Sequence, residues 1–176
     1  MNANDLKLLI SPERIQARVQ EIAHRISYDY KYKDLVLIGI LKGSFIFTAD
    51  LTRSIGIEHQ VDFIGISSYK GDSSTGLIKF TKEPDIGLKD KDVVLVEDIV
   101  DTGLTINEAV LAIKKAKPSS IKICTLIDKQ ERRKQKVQID YACFIMDSGF
   151  IVGYGLDYNE RYRHLPGIFY EERIGK

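Results

Sequence analysis

Val93-Val94-Leu95-Val96-Glu97-Asp98-Ile99-Val100-Asp101-Thr102-Gly103-Leu104-Thr105 decides how this chain is read. An apolar run closes on acids, and a Gly/Thr turn then opens a helix. Residues 93–96 are β-branched or aliphatic without alternation, the pattern of a parallel strand covered on both faces. After the turn Ile106, Ala109, Val110 and Ile113 recur at helical spacing, with Lys114, Lys115 and Lys117 in the last turn and Pro118 closing it. A strand, tight turn and helix gather unpaired backbone N–H groups and the positive end of the helix dipole at one point, which makes an anion site. Thr102 and Thr105 add hydroxyl donors. Glu97, Asp98 and Asp101 stand too near that point to hold a phosphate themselves, so sugar hydroxyls, a metal ion or a proton in transfer are their natural partners. A sugar phosphate suits this layout.

The same strand-turn-helix grammar occurs upstream. Leu35 to Leu41 reads as a buried strand, broken by Lys42-Gly43-Ser44, and Phe45 to Ile55 reads as a helix ending at Gly56. Ser11-Pro12-Glu13 starts an earlier helix, with Ser11 as N-cap and Ile15, Val19, Ile22, Ala23 and Ile26 on its apolar face. Strands at His59–Ser68 and Leu77–Thr81 flank Tyr69–Gly76, a polar, glycine-punctuated segment expected to be mobile. Downstream, strands are predicted at Ser120–Ile127, Ile139–Ile145 and briefly at Phe150–Tyr154. The tail from Asn159 to Lys176 is expected to form a short helix or turn and then an edge strand. This alternation predicts an α/β fold with an open, mostly parallel central sheet, whose ligands gather beyond the carboxyl ends of the strands. Lys42-Gly43, Glu97–Thr105 and Asp128-Lys129 all fall at such ends.

With 176 residues, 44% of them hydrophobic, the chain suits one well-buried core and is short for two domains. A formal net charge of +1 provides no global field for nucleic acid or an acidic membrane. No apolar run approaches the ~20 residues of a membrane helix, and Met1–Asp5 lack a basic segment leading into an apolar one. A cytoplasmic protein with neither a nucleic-acid nor a membrane partner is expected. Cys124 and Cys143 sit in apolar strand-like runs without CxxC spacing, and read as two buried free thiols. His24, His59 and His164 lack metal-ligand spacing.

One acid at a strand end is ordinarily a helix cap or a solvated turn residue. Three within five positions are costly unless a cation or a donor array compensates, as Mg2+ or vicinal ribose hydroxyls would. Asp101-Thr102-Gly103 also matches the D-T-G of aspartic proteases, but those enzymes are all-β, whereas here the triplet opens a helix. A G-x-x-x-x-G-K-[ST] phosphate loop is absent. Leu41-Lys42-Gly43 is unremarkable alone, yet it occupies the same rim as the acids. Lys129 follows another strand end, and the cluster Arg132-Arg133-Lys134-Gln135-Lys136 reads as a solvated connection. Phe150 is either core or a stacking platform for a planar base. Arg161 and Arg163 either pair with Asp157, the commoner outcome, or meet phosphate.

Val94 to Thr105 resembles the 5-phosphoribosyl-1-diphosphate (PRPP) loop of purine phosphoribosyltransferases of the hypoxanthine-guanine type, and the likeness runs from about Leu35 to about Glu172. Further matches are Leu41-Lys42-Gly43, Ser67-Ser68-Tyr69 with Ser74-Thr75-Gly76, Lys129, and Phe150 through Gly153-Tyr154 to Leu156-Asp157-Tyr158-Asn159-Glu160. The resemblance implies a type I phosphoribosyltransferase fold in one domain. Its core would span about residues 35–145, with a small hood from about 1–12 and 146–176. It implies a glycosyltransferase, more narrowly a pentosyltransferase, that makes IMP or GMP and pyrophosphate from PRPP and hypoxanthine or guanine with Mg2+, as a homodimer or homotetramer.

Carried over by position, Glu97 and Asp98 hold the ribose hydroxyls and influence Mg2+, and Asp101 faces N7 of the purine as general base or acceptor. Asp101, Thr102, Gly103, Leu104 and Thr105 wrap the 5′-phosphate. Leu41, Lys42 and Gly43 meet pyrophosphate through a turn that in the family often contains a cis peptide, and Arg163 contacts pyrophosphate as well. Lys129 donates to the 6-oxo group, Phe150 stacks on the ring, and Ile151 and Asp157 read the base edge through their carbonyls, the Asp157 side chain facing Mg2+. Ser68 and Tyr69 belong to a lid that excludes water. Leu104 stands where some members carry Lys, which shifts phosphate binding toward backbone and Thr donors. Adenine and xanthine enzymes tend to place Ala where Asp101 stands, and Lys129 suits an oxo rather than an amino group. The choice among hypoxanthine, guanine and xanthine is not written in side-chain identity. A rival class, an RNA-binding nucleotide sensor on the same fold, calls for a basic face that the balanced charge does not supply.

Overall fold

A computed structural model describes residues 6–68 and 78–171. In chain order the elements are β1 (Leu6–Ile10), α1 (Pro12–Asp29), β2 (Leu35–Leu41), α2 (Phe45–Ser54), β3 (Gln60–Ser68), β4 (Ile78–Lys82), β5 (Asp92–Val100), α3 (Leu104–Lys114), β6 (Ser120–Lys129), β7 (Tyr141–Met146), β8 (Ile151–Val152) and β9 (Ile168–Glu171). Tyr69, expected in the lid, and Ser74-Thr75-Gly76 lie outside the described residues, while Ser68 ends β3.

The apolar runs form a six-stranded sheet ordered β4-β3-β2-β5-β6-β7. It is parallel except at β4, which pairs antiparallel with β3. The two central strands lack polar alternation because both of their faces are covered. Leu35, Leu37, Val94 and Val96 pack with Ile15, Val19 and Ile22 of α1 and Phe47 and Leu51 of α2. Val36, Ile38, Val93 and Leu95 face the other way, onto Ile106, Ala109 and Ile113 of α3. Each such side chain contributes about 1.5–3 kcal/mol when fully buried, so this doubly covered centre is the rigid floor under the strand ends. The cap of α1 is as its sequence predicts: Ser11 Oγ accepts from the Arg14 N–H at 3.4 Å, with Pro12 as the first helical residue.

Three readings change. β5 continues to Val100 and β6 to Lys129, in register Val100↔Asp128. Glu97, Asp98 and Lys129, read as strand-end residues, therefore lie buried within the strands themselves; pairing with a parallel neighbour extends a strand past its apolar run. The tail strand β9 is central, not an edge: it lies between β1 and β8 in a separate three-stranded antiparallel sheet. β1 itself is not legible beforehand, since Leu8 and Leu9 are exposed and its partner is some 160 residues away in the chain.

Cys124 and Cys143 are buried free thiols. Burial pushes both up, Cys143 to about 12 and Cys124 well above the ordinary thiol value. Neither is expected to react with a thiol-specific chromogenic disulfide in the native protein, and both should react after denaturation. Prompt native labelling would contradict this packing. Among the described residues no helix is long and apolar enough to cross a membrane.

Candidate active site

β5 ends at Val100 and α3 begins at Leu104, so the step from sheet to helix takes only Asp101, Thr102 and Gly103. Gly103 is the N-cap at φ +83° and has no side chain to cap the helix, while the Leu104 N–H donates to Thr102 Oγ1 at 3.4 Å. A Cβ there would also lie 2.8 Å from the Gln135 carbonyl oxygen and from Val137 Cγ2. The Thr102 carbonyl accepts from the N–H groups of Lys134 at 2.9 Å and Gln135 at 3.2 Å, which holds the turn from outside. Beyond Leu104 the first turn of α3 has no side-chain cap, and its dipole faces a cavity of about 320 Å³ lined by Glu97 through Gly103, Thr105 and Ile106. Leu104 is exposed and does not line the cavity. Gly103→Ala is expected to weaken binding of a phosphate ester in this cavity at least about tenfold, since a non-glycine residue in a left-handed conformation costs about 1–2 kcal/mol before the collision is counted. Titration calorimetry returning wild-type affinity would refute that.

Glu97 is buried, and its Oε2 has no hydrogen-bond partner among the described residues. Burial foremost, then the like charge and hydrogen bond of Asp98, push its carboxyl well above the ordinary glutamate range. Asp98 Oδ1 accepts from the Ile99 N–H at 2.9 Å. Its other oxygen rests against the next strand end, for a Cβ on Gly43 would stand 1.8 Å from Asp98 Oδ2.

That second strand end carries a cis Leu41–Lys42 peptide. The buried Ser44 spends its hydroxyl on the Ile40 carbonyl at 2.7 Å, and α2 likewise starts without a side-chain cap. The C-terminal segment docks here: Gly155 lies at φ +100°, and a Cβ on it would fall 2.1 Å from the Gly43 carbonyl oxygen. Arg163 donates to the Gly155 carbonyl at 2.7 Å and pairs with Asp157 at 2.9 Å and Glu160 at 3.1 Å. Glu160 also meets Lys42 Nζ at 3.2 Å. The arginine pairs with Asp157 as spacing suggests, but half-buried rather than on the surface.

On the other side of β5, Lys129 is only 7% exposed, and its Nζ stands 4.0 Å from Asp101 Oδ2 and 3.9 Å from Glu131. Arg132 lies 3.9 Å from the same Asp101 oxygen, while Asp101 Oδ1 is buried with no hydrogen-bond partner among the described residues. Strand register sets Lys129 opposite Met146, the last residue of β7, from which three residues lead to Phe150. Phe150 is 48% exposed, its edge braced by Tyr158 with ring centres 5.6 Å apart, and Ile151 behind it is buried. A backbone anion cradle, buried carboxylates, a lysine-aspartate pair and an available aromatic face thus share one rim.

Residues 10–159 match the family described as Phosphoribosyl transferase domain. The chain belongs to that family. It is 43% identical to the hypoxanthine phosphoribosyltransferase of Buchnera aphidicola over 93% of this chain and 94% of the relative. It is likewise 43% identical to the hypoxanthine-guanine phosphoribosyltransferase of Aquifex aeolicus over 95% of each. A solved Staphylococcus aureus hypoxanthine phosphoribosyltransferase superposes with a TM-score of 0.91 at 39% identity, covering 96% of this chain and 93% of that one. In this phosphoribosyl transferase chain three residues join the site that residue reading did not single out. Ile106 lines the cavity, Glu160 bridges Lys42 and Arg163, and Arg133 grips both strand ends. Of these only Glu160 lay inside a matched motif. Arg133 was hidden by its neighbours in a basic run.

Proposed function

We propose that this enzyme transfers the 5-phosphoribosyl group of PRPP to a 6-oxopurine, hypoxanthine or guanine, giving IMP or GMP and pyrophosphate in purine salvage. The observation that carries the reading is the pair Lys129 and Asp101, a buried donor and an acceptor 4.0 Å apart beside the cradle of α3. Lys129 donates to the 6-oxo oxygen, and Asp101 accepts the N7 proton. Adenine would set its amino donors against the Lys129 ammonium. Phe150 stacks on the ring, while the Ile151 and Asp157 carbonyls read its edge.

Backbone N–H groups and hydroxyls from Asp101 through Thr105 hold the 5′-phosphate, and Glu97 and Asp98 take the ribose hydroxyls, supplying partners for the orphaned Glu97 oxygen. The Leu41–Gly43 turn and Arg163 receive pyrophosphate. The bond from the anomeric carbon to pyrophosphate breaks with its electron pair leaving on oxygen, N9 forms the new bond, and Asp101 removes the N7 proton. The lid at Ser68 and Tyr69 keeps water from the electron-poor sugar.

The residues suit Mg2+. No group of three or more His, Cys, Asp or Glu side chains encloses a metal among the described residues, and this ion is characteristically held by one or two carboxylates together with substrate phosphates. Asp157, with Glu97 and Asp98 near the ribose, would hold it, and when bound it offsets charge on the departing pyrophosphate. The reading carries with it a cytoplasmic homodimer or homotetramer acting as a single domain, with a core of about residues 35–145 and a hood of about 1–12 and 146–176. A spectrophotometric assay of each purine with PRPP and Mg2+ tests it. Turnover of hypoxanthine or guanine is expected, and turnover of adenine alone would overturn it.

A further inference from the structure

The run Arg132–Lys136 reads as a solvated connection, and Arg132, Lys134 and Lys136 are indeed exposed. Arg133 is not. Its side chain is 19% exposed, Nε donates to the Asp101 carbonyl at 2.9 Å, and one terminal nitrogen reaches the Val100 carbonyl at 2.9 Å and the Lys129 carbonyl at 3.2 Å. The same nitrogen pairs at 2.5 Å with the carboxylate of Asp128, itself 7% exposed. One planar guanidinium therefore spans the carboxyl ends of β5 and β6. It grips the backbone of Asp101 and of Lys129, the two residues whose side chains face each other at 4.0 Å.

We infer that Arg133 is a positioning residue for the base: it sets the spacing and orientation of Lys129 and Asp101. This rests on the proposed function. The rigid fork is what the task requires, because donors at fixed angles must meet two strands at once, which the single ammonium of lysine cannot do. Strand register fixes Lys129 only against Met146 of β7 and does not reach Asp101, since β5 stops at Val100 and Asp101 already belongs to the turn.

The phosphate cradle is secured by other means. The Thr102 carbonyl is held by the Lys134 and Gln135 N–H groups, and Asn107 of α3 donates to the Gln135 side chain at 2.7 Å. Losing the Arg133 side chain leaves these bonds in place. The expected signature is a split: recognition of the base suffers, and binding of PRPP, which carries no base, does not.

The test uses the full chain with hypoxanthine or guanine as varied substrate, and calorimetric titration of PRPP with Mg2+. Arg133→Met is paired with Asp128→Asn, so that no carboxylate is left buried beside a missing cation. Arg133→Lys is measured alongside. In both, the PRPP Kd is expected to stay within about threefold of wild type, which also reports an intact fold, while kcat/KM for the purine falls about 100-fold, the scale of a misplaced reacting group. Equal losses in PRPP affinity and purine kcat/KM would reduce Arg133 to a structural prop and overturn the inference. So would full recovery by lysine, or purine kcat/KM within threefold of wild type in the double variant. If only these variants depart from expectation while the wild-type protein turns over a 6-oxopurine, the functional reading stands. A wild-type protein without that turnover overturns both.

Discussion

Replacing Asp101 by Asn is expected to lower kcat about 10²- to 10⁴-fold, the range of a positioned general base, with PRPP affinity nearly unchanged. The side chain is poised for a partner that the fold does not supply: Oδ1 is buried and unbonded among the described residues, and Oδ2 stands 4.0 Å from Lys129, within electrostatic reach but beyond a hydrogen bond. Asparagine keeps the shape and surrenders the proton acceptor. On the proposed function PRPP is anchored by backbone groups at the start of α3, which the substitution leaves alone. Stopped-flow or steady-state turnover of hypoxanthine, alongside calorimetric PRPP binding, measures both halves. A variant with kcat within threefold of wild type would remove Asp101 from proton transfer.

Asp62→Ala is expected to destabilise the fold by about 3 kcal/mol or more, because it strands several donors at once. The Asp62 carboxylate accepts from the backbone N–H groups of Phe63 at 2.7 Å, Asp85 at 2.6 Å and Ile86 at 3.0 Å, and from Lys82 at 3.1 Å. It ties β3 to the loop that follows β4. Burial pushes its carboxyl up, and these donors outweigh that and hold it below the ordinary aspartate value of 3.8. Because the folded value is depressed, its contribution is present above pH 3.8 and is lost as pH falls through the lower folded value. Thermal melts should therefore drop more steeply with acid below pH 4 in wild type than in Asp62→Asn. Parallel curves, or an alanine variant melting with wild type, would show that the loop is held by something else.

How much of this was written in the chain differs from residue to residue. β2 is legible from Leu35 to Leu41, because a strand covered on both faces has a contiguous apolar run and needs no partner to be recognised. The helix after Gly103 was legible too, from its periodicity. Glu97, Asp98 and Asp101 stood out as chemistry because crowded carboxylates after such a run are costly without a purpose. Arg133 could not be separated from four polar neighbours, since all five share one local composition and only the packing of β5 beside β6 brings two rows of carbonyls within its reach. β9 reads as an edge because nothing in Ile168–Glu171 tells that β1 will cover its far side.

The sequence by itself determined the α/β class, the strand-turn-helix unit around Gly103, the list of candidate site side chains and the family those motifs resemble. These depend on periodicity, turn chemistry and short-range spacing, which act within a few residues. Tertiary structure alone decided that Lys129 stands opposite Asp101, that Asp98 rests on Gly43, that Gly155 closes onto the same turn, and that Arg133 bridges two strand ends. Each of these joins segments distant in the chain, and strand order and register, set by how whole elements bury their faces, determine which distant groups meet.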